Sequence, residues 1–224
     1  MQRFTRHDLA DLFRNFAERM AAERATLAEL DGEIGDADHG VAMAGGFDAA
    51  AKALFDSGFE SGAQDQTLAE GLTLAAQSLL NAVGATTGPL YASALLRAAA
   101  TFGAQREILF ARLPEIVVAM CEGIEARGHG KPGDKTMIDA WNPAAHAVRE
   151  GLEAGETTVQ VLRTAAQCAA EGAAATRAMM ATKGRAARLG PRSIGHLDPG
   201  AVSAAALLDV LATWAERAAG GDHG

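Results

Sequence analysis

Apolar residues in this chain recur every three or four positions, and no segment alternates them with polar residues in the two-residue rhythm of a strand. That periodicity belongs to helices burying one face, and it removes a sheet from consideration as the main scaffold. Leu9, Leu12, Phe13, Phe16 and Met20 set the pattern of a first helix that runs on to Leu27 and Leu30, with Thr5 and Asp8 spaced as a capping box at its start. The spacing predicts further helices over about 41–57, 67–83, 105–127, 137–151, 157–180 and 199–218, with another starting at Gly88-Pro89. Pro114 is expected to kink or split the fifth, and Asp198 to cap the eighth. The expectation is a single all-α domain over residues 1–224, an eight-helix antiparallel up-and-down bundle or barrel.

Composition agrees. Apolar residues make up 49% of the chain but aromatic residues only 5%, so alanine carries much of the apolar count and close-packed helices are favoured over a β-sandwich. A net charge of −8 argues against a nucleic-acid partner and makes an anionic ligand unwelcome without a metal or local cations. Cys121 and Cys168 lack metal-type spacing and read as two buried, reduced thiols. No apolar run approaches a membrane span, and Met1-Gln2-Arg3 leads into an amphipathic stretch, so a cytoplasmic protein is expected.

The richest chemistry lies in Leu30-Asp31-Gly32-Glu33-Ile34-Gly35-Asp36-Ala37-Asp38-His39-Gly40. Asp31, Asp36 and Asp38 fall at the junction of two helical patterns. Carboxylates this close repel unless a cation sits among them, and oxygen-only ligands on a loop suit Mg²⁺ or Ca²⁺. An EF-hand is excluded, because the 1-3-5 acidic spacing and the glutamate at position 12 are missing.

Four polar, glycine-bearing segments interrupt the helices, at 35–40, 84–89, 128–136 and 183–200. They follow the first, third, fifth and seventh helices, and alternate connections of an antiparallel bundle emerge at one end. All four loops are therefore expected in one place. Thr86 and Thr87 in the second offer hydroxyls and N–H groups at a helix start, where phosphate binds well, although an ordinary Thr/Gly cap would look the same. The fourth holds Lys183, Arg185, Arg188, Arg192 and His196, with no acid between Glu171 and Asp198. Metal, helix N-termini and arginine are the parts that phosphoryl transfer uses.

The third loop contains two decoys. Gly128-His129-Gly130-Lys131-Pro132-Gly133 spells G-x-G-x-x-G, and 128–136 nearly spells a P-loop, but each follows a helix rather than a strand. His39 has three readings, as a metal ligand, a nucleotide contact or a polar first-turn residue. His129 and His146 read as surface residues, and Trp141 and Trp214 as core. Met137 suits either a purine contact or core filling.

With these loops in view, the chain resembles the L subunit of dihydroxyacetone kinase, which also occurs as the nucleotide-binding domain of one-chain kinases. The resemblance rests on Gly35-Asp36-Ala37-Asp38-His39-Gly40, Thr87-Gly88-Pro89-Leu90-Tyr91, Gly133-Asp134-Lys135-Thr136-Met137, Lys183-Gly184-Arg185-Ala186 and Ser193-Ile194-Gly195-His196-Leu197-Asp198-Pro199-Gly200, in family order over nearly the whole chain. It implies an eight-helix antiparallel barrel with a nucleotide and two Mg²⁺ ions at one end. By that resemblance Asp31, Asp36 and Asp38 hold the Mg²⁺ ions. His39, Gly40, Val41 and Ala42 line the phosphates, with Thr86 and Thr87 in place of the family's usual serine pair. Gly128, Met137, Arg185 and the Asp198-Pro199-Gly200 turn border the rest of the ADP or ATP. Ala37 and Ala85 stand where the family often has glycine, and alanine tolerates positive φ poorly.

The resemblance further implies transfer of a γ-phosphoryl group to a short ketose, with Arg185 and Mg²⁺ neutralising developing charge. The ketose is held by a histidine of a separate K subunit, which the rim of the site would dock. Dihydroxyacetone is the default sugar and erythrulose an alternative. ATP exchange competes with a second mechanism, in which bound ADP is rephosphorylated in place by a phosphotransferase-system protein. A helical interaction module without catalysis is the third reading. A homodimer is compatible with the Ala-rich faces.

Overall fold

The computed structural model describes residues 1–59, 65–84 and 86–221. Eight α-helices dominate: α1 (Arg6–Ile34), α2 (His39–Asp56), α3 (Leu68–Ala82), α4 (Thr87–Phe102), α5 (Glu115–Gly128), α6 (Ile138–Glu153), α7 (Thr158–Ala175) and α8 (Pro199–Gly220). Each packs on its neighbours in sequence, and α8 returns to α1, so the ring closes into an up-and-down barrel. Among the described residues, no helix is long and apolar enough to cross a membrane.

The few aromatic side chains do a disproportionate share of the filling. Phe13 and Phe16 on α1, Phe47 on α2, Tyr91 on α4 and Trp141 on α6 form a continuous series of edge-on contacts across the interior, with centroid separations of 5.6 to 6.4 Å. Alanine and glycine occupy the seams between helices. At Gly40 a Cβ would lie 2.0 Å from the Arg24 carbonyl oxygen, and at Gly172 the same distance from that of Asp139. Only glycine permits these α1–α2 and α6–α7 approaches.

The helix count and starts follow the sequence closely, including the Thr5–Asp8 capping box and the Asp198 cap of α8. Three details differ. Pro114 does not kink a long helix; it caps α5, and the chain before it forms a short strand, β2 (Ile108–Leu109), and a 3-10 turn over Phe110–Arg112. β2 pairs antiparallel with β1 (Arg3–Phe4), a sheet too short to leave a period-2 signal. The loop after α7 is largely helical too, a 3-10 stretch over Ala186–Ser193 broken at Gly190, where φ is +55°. Cys121 is buried as expected, but Cys168 is only partly so. Trp141 and Trp214 lie in the core, and His129 and His146 are exposed.

Candidate functional site

The first loop leaves α1 after Ile34 and enters α2 at His39, and its path is fixed by Asp31 in the last turn of α1. Asp31 Oδ2 accepts the backbone N–H groups of Asp38 at 2.9 Å and His39 at 3.2 Å. Asp38, the N-cap residue of α2, makes no capping bond with its own side chain. Its carboxylate is thereby left for other partners, and so is that of Asp36. Between them Ala37 sits at φ +63°, turning the chain so that both aspartates face the same region. One carboxylate oxygen from each of Asp31, Asp36 and Asp38 lies within 4.8 Å of the others. Arg185 spans two members, contacting Asp36 and lying 3.1 Å from Asp38 Oδ2. An all-oxygen, half-exposed set of this kind fits a hard divalent cation that retains water or takes ligand oxygens.

Helix capping differs between most starts at the two ends of the barrel, with α5 (uncapped by a side chain) and α8 (capped by Asp198) as exceptions. At the far end, α1, α3 and α7 each start with a complete capping box, from Thr5, Thr67 and Thr157. At the near end, the N-caps of α2 (Asp38), α4 (Thr86) and α6 (Met137) make no side-chain capping bond. The ordinary-cap explanation for Thr86 therefore fails. Three positive helix ends border the same space as the acidic cluster, with the first N–H groups of α2 taken by Asp31 and that of Ile138 by Thr136 Oγ1, and their dipoles favour an anion once a cation offsets the carboxylates.

A cavity of about 290 Å³ joins these features. All four loops line it: Asp31, Asp36, Asp38 and His39 from the first, Thr86 and Thr87 from the second, Gly128, Gly130 and Lys135 to Met137 from the third, and Lys183 to Ala186 with Asp198 to Gly200 from the fourth. Leu90, Ile124, Met137 and Ile138 give it an apolar wall suited to a planar ring. At Gly128 a Cβ would come within 2.8 Å of the Leu90 side-chain tip, so a larger residue there would push Leu90 in the wall. A larger outer groove of about 600 Å³ between α1 and α2 gathers neither helix starts nor a carboxylate triad.

Not every expected residue lines the cavity. Gly40, Val41 and Ala42 do not; Gly40 is packed on α1 and Val41 is exposed. Arg188 and Arg192 also stay out of it, so the basic island reduces to Lys183 and Arg185 at the site. Ala85 lies outside the described residues. His39 is buried, and its Nε2 lies 2.9 Å from Ser203 Oγ, whose hydroxyl donates to Gly200 O. Burial pushes the pKa of His39 down, against the pull of Asp31, so the ring is neutral and outside the carboxylate triad. Asp198 is driven the other way. Burial raises its pKa to about 7, although its carboxylate accepts the Ala201 N–H at 2.7 Å.

The interior of the third loop was not legible from local sequence. Lys135, the near-P-loop lysine, is 1% exposed and bonded to four backbone carbonyls. Buried Asp139 holds the turn before it, accepting from Gly133 N at 2.5 Å and Thr136 N at 2.8 Å. On the rim, His196 Nδ1 lies 2.9 Å from Glu33 and ties the fourth loop to the end of α1.

Residues 33–213 match the model of the DAK2 domain. The chain belongs to the DAK2 domain family. It is 36% identical over 197 residues to the ADP-binding subunit DhaL of a PEP-dependent dihydroxyacetone kinase from Escherichia coli, covering 88% of this chain and 91% of that one. It is also 36% identical over 196 residues to the ADP-binding subunit DhaL of a PTS-dependent dihydroxyacetone kinase from Lactococcus lactis, covering 88% and 91%. An L-erythrulose 1-kinase from Mycolicibacterium smegmatis is 34% identical, but this chain spans only 35% of it. Among solved structures, the dihydroxyacetone kinase from C. freundii in complex with AMP-PNP and Mg²⁺ superposes with a TM-score of 0.67 at 22% identity, over 91% of this chain and 33% of that one. That likeness establishes the same helical fold.

Proposed function

We propose that residues 1–224 form the nucleotide-binding subunit of a dihydroxyacetone-type kinase, acting with a separate K subunit that carries the ketose. The observation that carries this reading is the meeting, in one cavity, of a three-carboxylate cluster with the N-terminal ends of α2, α4 and α6. Asp31, Asp36 and Asp38 would hold Mg²⁺, proposed as two ions whose remaining ligands are phosphate oxygens and water. Mg²⁺ supplies charge neutralisation on those oxygens. Thr86 and Thr87 donate hydroxyl and N–H groups toward the phosphates, and Met137 with Leu90 flanks the base. Arg185 and Lys183 stabilise charge on the transferring group from the fourth loop.

Among the described residues no histidine is placed to hold a sugar, and His7 does not line the cavity. His39 is committed to Ser203, His196 to Glu33, and His129 and His146 lie outside the cavity. This favours a ketose site on the partner and a docking role for the rim. The two DhaL relatives are named as ADP-binding and as PEP- or PTS-dependent, which favours retained ADP rephosphorylated by a phosphotransferase-system protein over exchange with free ATP. Dihydroxyacetone is favoured over erythrulose because the relatives matched along their full length are dihydroxyacetone kinase subunits.

The test is what the purified chain carries. After extensive dialysis it is denatured, and the supernatant is assayed for adenine nucleotide and Mg²⁺. Near-stoichiometric ADP supports the carrier. An empty site that binds ATP only with Mg²⁺ supports exchange, and no nucleotide binding under any condition sinks the proposal.

A further inference from the structure

Lys135 sits in a conformation that needs explaining. It is held at φ +60°, unusual for a side chain of this size, inside the turn clamped by Asp139. Its stem is buried, and its Nζ lies 2.8 Å from Thr176 O, 3.2 Å from Met179 O, 2.8 Å from Ser193 O and 2.6 Å from His196 O. An ammonium has three protons to donate, and four carbonyls surround it, so none remains for a phosphate.

These carbonyls come from both ends of the segment that carries Arg185. Thr176 and Met179 lie just after α7, and Ser193 and His196 just before Asp198. Thr176 also anchors the far end, its hydroxyl accepting the Asp198 N–H at 3.0 Å. Asp134, beside Lys135, takes the Thr182 N–H on its own carbonyl at 3.2 Å. One buried cation thus draws together the start and finish of a loop whose middle reaches the acidic cluster.

We infer that Lys135 is a positioning residue for the nucleotide site, an ammonium keystone that sets the 176–198 segment so that Arg185 and the Asp198-Pro199-Gly200 turn face the cavity. The inference rests on the nucleotide-site reading above. Lysine is suited to the task because it places a compact three-donor head on a long stem, whereas the planar guanidinium of arginine does not match a cage of converging carbonyls.

The experiment compares the full chain with Lys135→Ala, Lys135→Met and Lys135→Arg by calorimetric titration with ADP and Mg²⁺. Cleavage by trypsin is followed in parallel at the exposed Lys183 and Arg185. Lys135→Ala is expected to weaken ADP binding by about tenfold or more and to speed cleavage, and neither Met nor Arg is expected to restore the wild-type values. Ethylammonium, which can replace the missing head group, is expected to recover ADP affinity in Lys135→Ala; tetraethylammonium, which has no N–H, is not. Should Lys135→Ala fail to fold, Lys135→Met keeps the stem and carries the comparison. Variants that bind ADP within twofold of wild type, or a loss that ethylammonium does not reverse, overturn the inference. If the wild-type chain binds no nucleotide, the site reading fails separately, and unchanged trypsin cleavage of the variants then overturns this one.

Discussion

The Asp31 carboxylate accepts the backbone N–H of Asp38 at 2.9 Å, so one aspartate of the acidic cluster caps the helix that another begins. The three acids are consequently unequal. Asp31 holds the backbone of the loop as well as belonging to the cluster, while Asp36 and Asp38 are exposed and, among the described residues, pair with Arg185 across the loop.

That inequality separates two substitutions. Asp31→Ala removes a helix cap and is expected to lower stability by about 1 kcal/mol in metal-free buffer. Asp36→Asn breaks a half-exposed ion pair and is expected to change metal-free stability by less than about 1 kcal/mol. Both should abolish the rise in melting temperature on adding Mg²⁺. Thermal melts in EDTA and in Mg²⁺ check this, and an undiminished Mg²⁺ response in Asp36→Asn would remove Asp36 from the ligand set.

Ala37 is the residue most at odds with its own backbone. At φ +63° its Cβ is strained by about 1 kcal/mol, and glycine relieves that strain. Ala37→Gly is expected to raise the urea midpoint by a corresponding amount. The side chain is exposed, so no lost packing offsets the gain. A lower midpoint would mean that the loop does not hold this turn in solution.

Gly40 shows the opposite demand. A methyl group there would meet the Arg24 carbonyl at 2.0 Å, and the contact is backbone against backbone, with no side chain able to move aside. Gly40→Ala is expected to force α1 and α2 apart and destabilise the chain by about 3 kcal/mol. Denaturation of the variant beside wild type measures this, and a loss under about 1 kcal/mol would show that the seam can yield.

How much of this was legible beforehand depends on the range of the interactions involved. Helix positions are written in local periodicity, and the Thr5–Asp8 box and the Asp198 cap act within three residues, so all were readable. The gathering of four loops followed from helix parity alone, which needs no contact to be known. Pro114 was misread because a proline that opens a helix and one that breaks it differ only in what precedes them. The Lys135 cage was invisible because its acceptors are backbone carbonyls, common to every residue, 41 to 61 positions away. Arg188 and Arg192 looked equivalent to Arg185, and only the kinked 3-10 path at Gly190 sorts them.

The acid at the start of α8 supplies a pH signature. Burial raises the pKa of Asp198 from an ordinary 3.8 to about 7, so the fold prefers its protonated form. Stability from this group is complete below about pH 4 and is lost as pH rises through about 7. Asp198→Asn keeps a side-chain oxygen for the Ala201 N–H and removes the titration. In EDTA the denaturation midpoint of wild type is therefore expected to fall, relative to that of the variant, between about pH 4 and about pH 7 and to level off above. A difference between the two proteins that stays constant over this range would show that Asp198 ionises as an ordinary carboxylate, with water reaching it at the floor of the cavity.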